Sequence, residues 1–122
     1  MESIIKRYID YAIELEQINQ VGLSHGNNLR RNNKLADKLR VIATNIEFET
    51  PKYKNAFAEL LTHENQNVKL WCAHHMLEVM NYDDKDRKNA LLVIKDYSIN
   101  SYGEKIWLED WFTNNPDDKL LF

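Results

Sequence analysis

Five residues in a chain of 122 are glycine or proline: Gly22, Gly26, Gly103, Pro51 and Pro116. A fold of many strands needs a turn every few residues, and those turns draw on Gly and Pro. This chain holds too few to close them. Its apolar residues recur instead at helical spacing, so the expected fold class is all-α. A composition 43% hydrophobic and 29% charged supplies a core with a solvated outside. One domain covering residues 1–122 is expected, burying roughly two-thirds of the surface its unfolded form would expose.

About six helices can be drawn. The first starts at Ser3 as cap and repeats Ile4, Tyr8, Tyr11, Ala12, Leu15 and Ile18, until Gly22 and Gly26 bracket a loop. The second carries Leu35, Leu39, Ile42 and Ile46. "ETPKY" opens the third, with Thr50 as cap and Pro51 at the first helical position, where a missing N–H costs nothing; it runs through Tyr53, Ala56, Phe57, Leu60 and Leu61. Asn67 is the expected cap of the fourth, Val68 to Met80. Acids in "NYDDKD" suit the start of the fifth, which carries Ala90, Leu91, Ile94 and Tyr97. Ser101 caps the sixth, Tyr102 to Thr113, and Asn115-Pro116 closes it. Residues 114–122 are expected as a loose tail, with docking of Leu120, Leu121 and Phe122 on the body as the alternative.

Two segment pairs repeat. "KNAFAELL" (54–61) matches "KNALLVIK" (88–95) at an offset of 34, and "VKLWCAHH" (68–75) matches "EKIWLEDW" (104–111) at an offset of 36. A helix–turn–helix unit of that length points to stacked helical hairpins. On a wheel of about 100° per residue, Val68, Cys72, Met76 and Val79 fall on one face of the fourth helix, and Leu70, Ala73, Leu77 and Met80 cover much of the other. A strip of Trp71, His74, His75 and Glu78 is left. The offset of 36 sets Trp107, Asp110, Trp111 and Asn114 beside it in the next repeat, and stacked repeats place equivalent positions on one concave surface. Tryptophan is enriched at interface hot spots, so these eight residues form the candidate protein-binding surface.

"HENQNVKLWCAHHML" (63–77) also invites a metal or catalytic reading. Cys72 and His75 are three apart, but zinc asks for three or four ligands, and "HENQN" lacks the second histidine of H-E-x-x-H. Cys72 falls on a core face, whereas a reactive thiol needs an exposed, electropositive setting. Asp83-Asp84 and Asp117-Asp118 sit in turns. The expectation is no catalytic residue, no metal and no cofactor.

Net charge is −3 and pI about 5.8, the wrong sign for a nucleic-acid binder. The polarity is graded: seven Lys and Arg face five acids in residues 1–45, and six face nine in 83–122. "RRNNKLADKLR" holds the basic run, Arg30, Arg31, Lys34, Lys38 and Arg40, interrupted by Asp37 and without an adjacent aromatic platform. Nucleic-acid binding through Arg30, Arg31, Lys34 and Arg40 is the runner-up function. One cysteine excludes an internal disulfide, and no apolar run reaches the ~18 residues of a membrane span. A cytoplasmic location is expected, with no membrane partner.

Asn65, Asn67, Val68, Lys69, Cys72, Ala73 and Leu77 resemble the second helix of a HEAT-like repeat: an amide-rich turn, Val and a base, two small residues, Leu. Gly26, Asn33, Asp37, Lys38, Leu39 and Ile42, with Leu108 and Trp111 near the end, are similar to a family of small bacterial HEAT-like proteins known as a domain of unknown function. The resemblance covers roughly residues 4–113; Lys69 stands where the family has Arg, and Cys72 where it has a second Ala. It implies an α-α superhelix of HEAT-like hairpins and a protein-binding role. Similar small helical proteins occur beside secreted toxin genes as immunity proteins. On that analogy the expected function is non-catalytic binding and neutralisation of a toxin domain, with Glu78, Asp83, Asp84 and Asp110 meeting basic residues and Trp71, Trp107 and Trp111 as anchors.

Overall fold

The computed structural model describes residues 2–122, and all its regular structure is helical. Helix α1 spans Glu2–Val21 and α2 spans Asn28–Phe48. Ser3, expected as a cap, falls inside α1, and its side chain lies outside the described residues. The connection turns on Gly22 (φ 113°) and Gly26 (φ 52°), both in the left-handed region that a Cβ disfavours. Asn28 closes it, its side-chain amide donating to the Gly22 carbonyl at 2.9 Å.

The expected third helix is not continuous. A 3-10 turn, Pro51–Tyr53, leads into a short helix α3, Lys54–Ala58, which tightens into a second 3-10 turn, Glu59–Thr62. Pro51 does hold the first position, but Thr50 does not cap it; its hydroxyl turns back to the Asn45 carbonyl at 3.5 Å. Phe57 of α3 and Leu60 and Leu61 of the second 3-10 turn are all buried. Ala56, expected on that face, is exposed.

Helix α4, Gln66–Glu78, is capped by Asn65 rather than Asn67. The Asn65 side-chain oxygen accepts from the backbone N–H groups of Asn67 (2.9 Å) and Val68 (3.0 Å). The two asparagines also tie the turn to α1: Asn65 donates to Glu16 Oε1 at 3.2 Å and Asn67 to the Ala12 carbonyl at 2.7 Å. Helix α5, Asp84–Ser98, starts under an Asp83 cap. Helix α6, Tyr102–Asn114, starts under Ser101, the cap that the sequence predicts. The tail docks. Pro116–Lys119 forms a short helix α7 that buries Asp118, and Phe122 meets Phe112 edge to face, while Leu120 stays exposed.

Neighbouring elements pack side by side: α1 on α2, α4 on α5, α5 on α6, with α1 also against α4. Tyr8, Ala12 and Leu15 of α1, Leu39 and Ile46 of α2, Val68 and Met76 of α4, and Leu91 and Ile94 of α5 are fully enclosed. Each such large side chain contributes roughly 1.5–3 kcal/mol, against which exposed pairs such as Lys6–Asp10 (3.2 Å) weigh little. Tyr97, expected inward, is exposed. No described helix is long and apolar enough to cross a membrane.

Candidate functional site

Helix α4 buries Val68, Cys72, Ala73, Met76 and Leu77, as the wheel expects, and His75 with them. This corrects the strip: His75 does not stand open beside His74. Its ring lies against Tyr8 of α1, with 2.5 Å between the phenol oxygen and Nδ1. Tyr8 is fully enclosed, and burial pushes its pKa well up, so the hydroxyl keeps its proton. The hydroxyl donates and Nδ1 accepts. Burial also pushes His75 down to about 4, leaving a neutral ring at pH 7 whose hydrogen sits on Nε2.

His74 faces the other way and meets α6. Its Nδ1 lies 2.9 Å from Glu78 Oε2 and its Nε2 2.6 Å from Glu104 Oε1. Burial opposes a charge there, but hydrogen bonds and charge attraction from Glu104 and Glu78 outweigh it and raise the pKa to about 9. His74 is an imidazolium at neutral pH. Burial would raise Glu78, yet the bond to His74 holds its carboxyl below the usual range. The Trp107 indole packs edge-on against His74, centroids 4.3 Å apart.

Together these groups wall a cleft of about 410 Å³ between α1, α4 and α6, lined by Asn19, Asn67, Leu70, Trp71, His74, His75, Glu78, Glu104 and Trp107. Five of the eight residues expected from the sequence therefore meet: Trp71, His74, His75, Glu78 and Trp107. Trp71 and Trp107 are half-buried, not swallowed by the core. The other three lie outside. Trp111 stacks on Trp107 (5.1 Å, 12°) and donates its indole N–H to Asp118 Oδ2 at 2.8 Å. Arg87 grips the same carboxylate, with Nε 3.1 Å from Oδ1 and a second nitrogen on Oδ2. Burial disfavours the charge on Asp118, but Arg87 and Trp111 outweigh it and keep the group ionised. Trp111 is thus a strut behind Trp107. Asp110 and Asn114 are exposed, and the Asn114 amide donates to the Asp110 carbonyl at 3.1 Å.

The repeat alignment pairs His74 with Asp110, whereas His74 meets Trp107 and Glu104, three and six positions earlier. Glu104 escaped notice because the alignment equates it with buried Val68; Asn67 reads as a helix cap and not as a wall of the site, and Asn19 carries no signal at all.

The residues weighed for metal and catalysis are committed elsewhere. Cys72 is enclosed, burial pushes its thiol well up, and it donates to the Phe57 carbonyl at 3.2 Å; that is the opposite of an activated nucleophile. His63 Nδ1 accepts from the Asn65 N–H at 3.0 Å. Among the described residues no group of three or more His, Cys, Asp or Glu side chains gathers where a metal could sit. On the basic run, Arg30, Arg31, Lys34, Lys38 and Arg40 are exposed along α2, with Asp37 among them; Arg31 is 3.4 Å from Glu14 and Lys38 lies over Tyr11. Asp83 is spent as a cap, and Asp84 is exposed in the first turn of α5. Comparison with family models, with curated proteins and with solved structures gave no match.

Proposed function

We propose that this chain is a non-catalytic protein-binding module that docks a partner on the face holding the α1/α4/α6 cleft. The reading includes a HEAT-like stacking of the helical hairpins, and in its sharpest form the partner is a toxin domain that a bacterial immunity protein occludes. One observation carries it: two half-buried tryptophans, Trp71 and Trp107, line the same open cleft. Indole rings combine a large apolar face with an N–H donor, and they dominate interface energetics where water can be excluded. The surrounding charges are fixed before any partner arrives, because His74 is clamped by two carboxylates and Trp107 is braced by Trp111. Preorganised side chains lose little conformational freedom on binding.

The test is recovery of a stoichiometric partner by cross-linking and co-purification from the native host. Asn19 is exposed at the cleft rim, so Asn19→Arg introduces bulk and positive charge without touching the core. The reading predicts that the wild-type chain retains a partner and Asn19→Arg loses it. Recovery of no partner, or equal recovery by both chains, would overturn it.

A further inference from the structure

We infer that the cleft is a socket for a guanidinium group, supplied by an arginine side chain of the docking partner. This rests on the protein-binding reading for its source, and on the cleft alone for its chemistry.

Charge comes first. Glu78 and Glu104 contribute two negative charges to the lining, His74 contributes at most one positive, and no Lys or Arg lines the cleft. The lining is net negative whether or not His74 carries its proton. Each carboxylate gives one oxygen to His74, Oε2 of Glu78 and Oε1 of Glu104; Glu78 also accepts from the Trp107 indole, which leaves the second oxygen of Glu104 as the acceptor offered to a ligand. A guanidinium has five N–H donors and no acceptor, so it complements carboxylate oxygens in a way that a hydroxyl or an anion does not.

Shape supports the same ligand. Two indoles enter the lining, and a planar cation stacks on an aromatic face better than a compact ammonium does. At about 410 Å³ the cleft sits at the small end of ligand sites, which run from roughly 300 to 1,000 Å³. That is room for one long side chain. Asn67 spends its side-chain N–H on the Ala12 carbonyl, which leaves its oxygen as a further acceptor. Donors also enter the lining, the Nε2–H of His75 and the indole N–H of Trp71 among them, and a guanidinium offers them no acceptor.

The other cavities carry less. The groove between α1 and the turn at Glu59–Thr62 has one fixed charge of each sign, Lys6 and Glu59, beside His63, and no Trp, Tyr or Phe ring. The apolar groove of Ile4, Tyr11 and Val41 is rimmed by Arg7, Lys34 and Lys38 against the single acid Asp37, but these are exposed side chains and Lys38 already lies over the Tyr11 ring, so nothing there holds the cations in place for an anion.

The experiment needs no partner protein. The ¹⁵N-labelled chain is titrated with N-acetyl-arginine-N-methylamide and, separately, with its citrulline counterpart, which keeps the shape and loses the charge. Saturable shifts of the Trp71 and Trp107 indole N–H signals are expected from the arginine probe in the millimolar range. The citrulline probe should bind roughly tenfold more weakly or worse. Glu104→Gln and Glu78→Gln should each weaken the arginine probe several-fold, and Asp96→Asn, an exposed acid of α5 outside the cleft, should not. Equal response to both probes, or no indole shift at tens of millimolar, would sink the inference; so would loss of binding in Asp96→Asn alone. A failed titration leaves the co-purification result standing, and a failed co-purification leaves a positive titration standing, so the two readings fall separately.

Discussion

His74 and His75 are consecutive residues on α4, yet one belongs to the contact with α6 and the other to the contact with α1. The α6 side is ionic: an imidazolium held between Glu78 and Glu104, beside an indole. The α1 side is neutral: a buried imidazole accepting a phenolic proton from Tyr8, which itself packs edge to face on Phe57 at 4.8 Å. Side chains one residue apart on a helix point about 100° apart, so a single step of sequence carries the chain from one chemistry to the other. The partner decides the state. A histidine with two carboxylates gains a proton; one enclosed by apolar groups and a single hydroxyl sheds it.

The contrast can be broken most violently on the neutral side. Tyr8→Ala removes a fully enclosed ring and should cost about 3–5 kcal/mol, measured as a lowered midpoint in chemical denaturation. A loss below about 1 kcal/mol would mean that the α1–α4 contact is not where stability lies.

The pH dependence comes next. His74 binds its proton more tightly in the folded state, so its contribution is fully present below about pH 6.5 and drains away as pH rises through about 9. His75 does the reverse: its contribution is present above about pH 6.5 and is lost as pH falls through about 4. Glu78, held low by His74, adds to the acid limb. Each histidine limb amounts to about 3 kcal/mol at most, one pKa unit being worth about 1.4 kcal/mol. Denaturation curves across the pH range should peak between the limbs, and His74→Gln should flatten the alkaline limb and remove Glu78's share of the acid one, leaving the share of His75. An alkaline limb unchanged in that variant would erase the distinction between the two rings.

The smallest effect sharpens the comparison instead of breaking it. Tyr8→Phe keeps the ring and deletes the hydroxyl, leaving His75 Nδ1 without its donor, at a cost of about 1–2 kcal/mol. Imidazole ¹⁵N shifts should show the His75 tautomer losing its preference. A tautomer unchanged in Tyr8→Phe would mean that something other than the phenol sets it.

Much of the helical framework was legible because apolar spacing reports one neighbour at a time. Leu35, Leu39, Ile42 and Ile46 read as an inward stripe and are one; Ser101 reads as a cap and is one. What failed depends on contacts between distant segments. His75 sits at a wheel position that could go either way, and a hydroxyl 67 residues away takes it inward. Glu104 reads as a polar residue in the first turn of α6 until His74 comes to meet it. The break over residues 51–62 is a change in hydrogen-bond pitch, to which a pattern of apolar positions is nearly blind. The cleft was therefore half legible: its two tryptophans and Glu78 announce themselves, and Glu104 does not.

Asn65 and Asn67 use the same short turn for two jobs, starting α4 and clasping α1 through Glu16 and the Ala12 carbonyl. Those bonds work as a registration key. Were α4 to slide or roll against α1, it would have to unmake its own first turn, so the relative setting of the two rods is quantised instead of adjustable.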